Sequence, residues 1–221
     1  MFFIKLLTIV LSNKILKSMK TANAYSFSRI VIAPIFFVLY FMPQWISIIN
    51  PEGVHFVSIL SVCIMVPLIA FAEFTDYLDG HEARKHNQVS DFGKLFDPFC
   101  DIVLHMIAFV CYMQSGYMPA IIFVLIFIRE YGMLFIRLMA IKKGVAIAAR
   151  KGGKLKTVVY IFSGMYSLFL ESAKRLSLIE SWNFELLKHI GVVFYILCLV
   201  LCYVSFFDYL KKFGKIVEED I

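Results

Sequence analysis

Among the five cysteines, Cys63, Cys100, Cys111, Cys198 and Cys202, there is no CxxC pair and no spacing with histidine that would hold a metal. A zinc module or a thiol redox centre is therefore not expected, and the thiols read as buried apolar side chains. No internal repeat, low-complexity tract or Pro/Gly-rich linker divides the chain, which argues against an array and for one domain. Gly144, Gly152 and Gly153 form neither a GxGxxG nor a Walker pattern, so no separate nucleotide fold is implied. The opening stretch, MFFIKLLTIVLSNKILKSMK, lacks a basic segment ahead of its apolar part and a small-residue cleavage site, which argues against a cleaved secretory signal.

What fills the sequence instead is apolar surface. Of 221 residues 61% are apolar and 16% aromatic, well above the roughly 45–50% apolar share of soluble domains. Apolar runs long enough to cross a hydrocarbon layer roughly 30 Å thick recur at residues 28–49, 54–79, 93–115, 117–141, 155–173 and 185–210. The expected fold is an all-α membrane protein with six transmembrane helices. Residues 1–22, with apolar residues spaced between Lys5, Lys14, Lys17 and Lys20, are expected to form an amphipathic interfacial segment, and 23–221 the six-helix domain.

The net charge of +6 does not point to a nucleic acid, because the cations sit in short clusters between apolar runs. Lys5, Lys14, Lys17, Lys20 and Arg29 precede the first span; Arg84, Lys85 and Lys94 follow the second; Lys142, Lys143, Arg150, Lys151, Lys154 and Lys156 follow the fourth; Lys211, Lys212 and Lys215 close the chain. The opposite side receives only Lys174, Arg175 and Lys188. Both termini are thus expected on the cytoplasmic side, as an even number of spans requires.

Between Asp76 and Asp101 runs DYLDGHEARKHNQVSDFGKLFDPFCD, in which four carboxylates stand at the facing ends of two expected spans. Asp76 and Asp79 are three apart and Asp97 and Asp101 four apart, so each pair shares a helix face. A bare acidic cluster at a membrane edge is unfavourable, since like charges repel and an intramembrane acid costs several kcal/mol. Pairing with Arg84, Lys85 and Lys94 could satisfy one such acid. Four, interleaved with Gly80, Ala83 and Gly93, point instead to bound hard divalent cations, Mg²⁺ or Mn²⁺, and the lack of nearby paired His or Cys argues against zinc. Two such ions could clamp a diphosphate.

This stretch resembles the CDP-alcohol phosphatidyltransferases, whose pattern is DxxDGxxARx8GxxxDxxxD. All eight fixed positions match: Asp76, Asp79, Gly80, Ala83, Arg84, Gly93, Asp97 and Asp101. The resemblance implies that Asp76, Asp79, Asp97 and Asp101 hold two metal ions, with Asp101 also the general base on the acceptor hydroxyl. It implies a CDP site at Asp79, Gly80, Ala83, Arg84 and Gly93, and a homodimer. The reaction it implies is attack of an alcohol on the phosphorus bearing diacylglycerol in CDP-diacylglycerol, with CMP expelled, at the cytoplasmic face of the cell inner membrane.

A second block, REYGMLFIRLMAIKKGVAIAARKGGKLKTV from Arg129 to Val158, is rich in cations. Arg129 and Arg137 fall within span four, where an unpaired guanidinium is costly, so each needs Glu130, a motif aspartate or a bound phosphate. The lysines from Lys142 to Lys156 also fit an ordinary cytoplasmic loop on anionic lipid. Within the family, the block is similar to that of the branch using sn-glycerol 3-phosphate, in the run RE…R…A…KG…AA…GK.KT, as is NAYSFSRIVIAP from Asn23 to Pro34 to its NxxTxxRIxxxP. That likeness implies transfer to glycerol 3-phosphate, giving phosphatidylglycerophosphate. Arg137, Lys154, Lys156 and Thr157 are then candidates for the acceptor phosphate, with Arg129 and Glu130 in support. Other acceptors within the family, inositol phosphate, serine or phosphatidylglycerol, remain as alternatives. A metal-ion transporter is a remote one, since transport sites usually lie near the bilayer midplane. His105, one turn after Asp101, reads as helix packing rather than a proton relay.

Overall fold

The computed structural model describes residues 21–85, 91–144, 151–179 and 181–218; within these, the side chains of residues 21–23, 76–85, 91, 92, 94, 151, 152, 154, 181, 182, 212 and 214–218 stand outside the description. The expected interfacial segment 1–22 falls outside it except for its last two residues. The described chain folds into six long helices: α1 Thr21–Ile49, α2 Val54–Lys85, α3 Asp91–Gln114, α4 Ala120–Lys142, α5 Lys151–Arg175 and α6 Ser181–Glu218. No strand occurs among the described residues. Each apolar run expected to cross lies mostly or wholly within one helix.

By length and composition four helices are long and apolar enough to cross a membrane, over Ala24–Ile49, Pro51–Thr75, Leu95–Gln114 and Asn183–Lys211. The two that miss this measure are α4 and α5, which carry Arg129, Glu130 and Arg137, and Lys156 and Glu171, in their interiors. These charges are buried or half-buried against other helices rather than offered to lipid. That is what an intramembrane charge requires.

The bundle is built around α1, which packs on both α2 and α3; α6 packs on α4 and α5, α3 also touches α4 and α5, and α2 touches α5. Buried aromatic rings fill the middle: Phe109 stands edge-on to Tyr160 and Tyr195 at centroid distances of 5.4 and 5.5 Å, and Tyr40 to Tyr112 at 6.0 Å. Outward-facing positions are apolar as well, with Phe56, Ile121, Val193 and Phe207 all more than half exposed. A molecule apolar on its outside and polar at chosen points within is matched to lipid as solvent.

At the end of the bundle where α1 meets α2, a buried ion pair fastens several elements together. Arg175 donates to Glu171 Oε1, to Ser61 Oγ of α2 and to the Tyr40 carbonyl of α1, each at 2.7 Å. Tyr117, in the turn joining α3 to α4, donates to the other oxygen of Glu171 at 2.7 Å. That turn passes through Gly116 at φ 75°, the left-handed region in which glycine meets no Cβ penalty. The connection between α1 and α2 is a single 3-10 turn, Pro51–Gly53, capped by the Asn50 side chain.

Candidate active site

At the opposite end, a cavity of about 400 Å³ opens between α3, α4, α5 and α6. Its α3 wall carries Asp97 and Asp101, one turn apart, with Pro98 between them. Pro98 has no N–H to give to the carbonyl of residue 94, so the helix ladder lacks a bond just where the aspartates face the cavity. Gly93 is half-buried one turn before Asp97. Asp76, Asp79, Gly80, Ala83 and Arg84 lie on the last turns of α2, but their side chains are outside the described residues.

The two described aspartates meet a buried cation that the sequence placed ahead of the first span and in the stretch similar to NxxTxxRIxxxP, without a role at the site. Arg29 of α1 is 1% exposed; its Nη2 contacts Asp97 Oδ1 and its Nε lies 3.1 Å from Asp101 Oδ1. The signal was present in the sequence: a guanidinium close to an apolar run needs a partner, the same reasoning that applies to Arg129 and Arg137.

The α4 and α5 walls carry the cationic block. Arg129 turns toward α6, donating from Nε to the Cys202 carbonyl at 3.0 Å and from Nη1 to Glu130 at 3.0 Å. Its remaining nitrogen lies 3.4 Å from Ser205 Oγ, and the guanidinium stands over the Phe206 ring. Glu130, 2% exposed, accepts on one oxygen from Arg129, from Lys156 Nζ at 2.7 Å and from the Tyr160 hydroxyl at 2.9 Å. Lys156 thus stands at the cavity with its ammonium held on Glu130 and lying 4.8 Å from the Tyr160 ring centroid.

Arg137 differs: it lines the cavity, and its buried Nε makes no hydrogen bond among the described residues. Thr157 also lines it, its hydroxyl donating to the Gly153 carbonyl at 3.2 Å while leaving oxygen lone pairs available. Lys154 lies on the first turn of α5, its side chain outside the described residues. The structure therefore brings Arg137, Lys156 and Thr157 to one cavity with Asp97 and Asp101. It brings Arg129 and Glu130 to the same cavity too, with the Arg129 guanidinium turned toward α6. Tyr209 of α6, 2% exposed, lines the same cavity and was not foreseen; it packs beside Gly153, where a Cβ would stand in ordinary van der Waals contact, 3.7 Å from its hydroxyl. No sequence period marks such a contact between elements far apart in the chain.

His105 sits beneath Asp101. Its Nδ1 is 2.8 Å from the Asp101 carbonyl oxygen and its Nε2 3.5 Å from Glu73 of α2. It contacts the backbone of Asp101 rather than the carboxylate, in keeping with helix packing.

An all-helical bundle with apolar outer faces, and with an acidic wall and a cationic wall across one cavity, has the character of a membrane protein whose cavity suits a phosphate-bearing ligand. The family model for CDP-alcohol phosphatidyltransferase matches residues 19–201. The chain belongs to this family, and so is an enzyme rather than a metal-ion transporter. It is 35% identical over 202 residues to a protein of Treponema pallidum (strain Nichols) named CDP-diacylglycerol--glycerol-3-phosphate 3-phosphatidyltransferase, covering 90% of this chain and 92% of that one. Proteins with the same name from Mycoplasma genitalium and Bacillus subtilis are each 30% identical, the first across 89% of this chain and 87% of its own length, the second across 64% and 72%.

Members of this family generally use divalent metal ions. The donor set fits such an ion: two carboxylates close enough to share one guanidinium, with oxygen ligands and no thiolate at the acidic wall. Among the described residues no three acidic, histidine or cysteine side chains gather as metal ligands, and the side chains of Asp76 and Asp79 are not among them.

Proposed function

We propose that this protein transfers the phosphatidyl group of CDP-diacylglycerol to sn-glycerol 3-phosphate, yielding phosphatidylglycerophosphate and CMP. The observation that carries the reading is the pairing of walls across one cavity: Asp97 and Asp101 on α3 against Arg137, with its unbonded Nε, and Lys156 on α4 and α5. An acidic wall suits a metal-bound diphosphate; a cationic one suits an acceptor that itself carries phosphate.

In this reading Asp101 takes the proton from the acceptor hydroxyl, whose oxygen attacks the phosphorus bearing diacylglycerol; the P–O bond to CMP breaks and CMP leaves with the electron pair. Asp76, Asp79, Asp97 and Asp101 would hold two ions, Mg²⁺ or Mn²⁺, which offset charge on the diphosphate. Asp79, Gly80, Ala83, Arg84 and Gly93 would line the CDP site. Arg137, with Lys154, Lys156 and Thr157, would receive the acceptor phosphate, and Glu130 and Arg129 would set the position of Lys156.

Six crossings by α1 to α6, with both termini in the cytoplasm, would put the cavity at the cytoplasmic face of the inner membrane. Lipid tails could then stay in the bilayer while CMP and the polar acceptor exchange with water. The clustering of Arg84, Lys85, Lys142, Lys143 and Lys154 at that end supports this orientation. A homodimer belongs to the same proposal, on family likeness.

The deciding experiment is CMP release by the detergent-purified protein from CDP-diacylglycerol and Mg²⁺ or Mn²⁺, with glycerol 3-phosphate, inositol phosphate, serine and phosphatidylglycerol compared as acceptors. Release with glycerol 3-phosphate alone is expected. Release with another acceptor would keep the chemistry and overturn the acceptor assignment, whereas none with any acceptor would overturn the reaction.

A further inference from the structure

Arg29 has no place in the chemistry proposed above, yet it is among the most deeply buried side chains of the molecule and lies against two of the carboxylates on which that chemistry depends. It is not a wall residue of the cavity; Asp97 and Asp101 are. The guanidinium reaches these carboxylates from α1, whereas the described lining of the cavity comes from α3, α4, α5 and α6. The two contacts of Arg29 are unequal in kind: Nη2, at the tip, donates to Asp97, whereas Nε, near the root of the side chain, stands 3.1 Å from Asp101 as an ion-pair contact without hydrogen-bond geometry.

Two acids one helical turn apart at a membrane edge need a cation. A guanidinium is always charged and is planar, with separate N–H groups to serve separate carboxylates, which an ammonium cannot match. We infer that Arg29 is the resident counter-ion of these carboxylates: without metal its charge stands in for a cation between Asp97 and Asp101, and metal binding draws its tip off Asp97 while the guanidinium charge stays beside Asp101. The inference rests on the reading of Asp97 and Asp101 as metal ligands.

Two opposite effects of Arg29 on metal affinity must be weighed. As an orienting donor to Asp97 it would favour binding, and removing it would weaken affinity by the worth of a hydrogen bond. As a positive charge held against the ligands it opposes a divalent ion, and that repulsion is larger in a site of low effective dielectric, so its removal tightens binding by about tenfold. The same residue is needed when no metal is present, because the acids then repel one another.

The test uses the full chain in detergent, with Mn²⁺ binding followed by loss of the free-ion EPR signal and stability by thermal unfolding with and without Mn²⁺. Arg29→Gln keeps a hydrogen-bonding end but no charge. It is expected to melt below the wild type without metal, to bind Mn²⁺ about tenfold more tightly, and to gain more in melting temperature from Mn²⁺ than the wild type does. Mn²⁺ affinity equal to or below that of the wild type overturns the inference. Should Arg29→Gln not fold, Arg29→Met serves: it keeps much of the side chain's length and carries no charge, so affinity above the wild-type value is expected, and no increase overturns the inference as well. Asp97→Asn separates the two levels. Wild-type binding that is lost in Asp97→Asn, with no tightening in the Arg29 variants, removes Arg29 alone; no Mn²⁺ binding by the wild type removes the metal site and this inference together.

Discussion

In the proposed reaction Asp97 and Asp101, one helical turn apart, both hold metal and Asp101 alone takes a proton, so a substitution at Asp101 tests the base. Asp101→Asn keeps the size of the side chain and removes its basicity. It is expected to lower CMP release by about 10²–10⁴-fold, the range that general base catalysis supplies, while CDP-diacylglycerol binding, read by substrate protection against thermal unfolding, is largely kept. Full activity would remove Asp101 as the base. Arg137 is the cavity cation with a buried nitrogen to spare. Losing a charge-assisted hydrogen bond to phosphate costs about 1.5–3 kcal/mol, so Arg137→Ala should raise the acceptor KM by roughly ten- to a hundredfold and leave the CDP-diacylglycerol KM nearly unchanged. An unaltered acceptor KM would place the phosphate elsewhere.

At the scale of helices, charge in the interior of an element marks its neighbours. α4 and α5 are too charged to pass as lipid-spanning on composition, and each resolves its charge against another helix: Glu130 gathers Arg129, Lys156 and Tyr160 near the cavity, and Glu171 gathers Arg175 and Tyr117 at the other end. The second cluster touches no part of the proposed site. Ordinary hydrogen bonds between membrane helices average only about 0.6 kcal/mol, but leaving one member of a buried ion pair unpaired costs about 3–5 kcal/mol. Arg175→Ala is therefore expected to lower the melting temperature markedly in detergent with both substrate KM values unchanged at a temperature where the variant is folded. A changed acceptor KM would mean that the two ends of the bundle are coupled. α6, with 38 residues, runs about 57 Å at 1.5 Å per residue, well beyond a hydrocarbon layer, and its extension supplies Tyr209 to the cavity.

For the whole molecule the central proposal is orientation. Leu178, exposed in the turn between α5 and α6, and Lys143, after α4, lie at opposite ends of the bundle. In a Cys63→Ser background, which removes the exposed native thiol, Leu178→Cys should react with a membrane-impermeant maleimide on intact cells, and Lys143→Cys only after permeabilisation. The reverse pattern would put the cavity on the outer face.

The sequence by itself determined the all-helical class, because uninterrupted apolar runs leave the backbone no partners but its own, and it marked the aspartate motif, because ligands three and four apart on helices are a local property of the chain. It also required that Arg129 find an acid, and Glu130 is next to it. Only the tertiary structure decided which charges are spoken for and which face the cavity: Lys156 is held by Glu130, 26 residues away in the chain, while Arg137 is left with an unbonded nitrogen. It alone placed Arg29 on Asp97 across 68 positions and Tyr209 beside Gly153. Contacts of that kind depend on how helices cross, which no local spacing encodes, and they set the electrostatics of the site as much as the motif does.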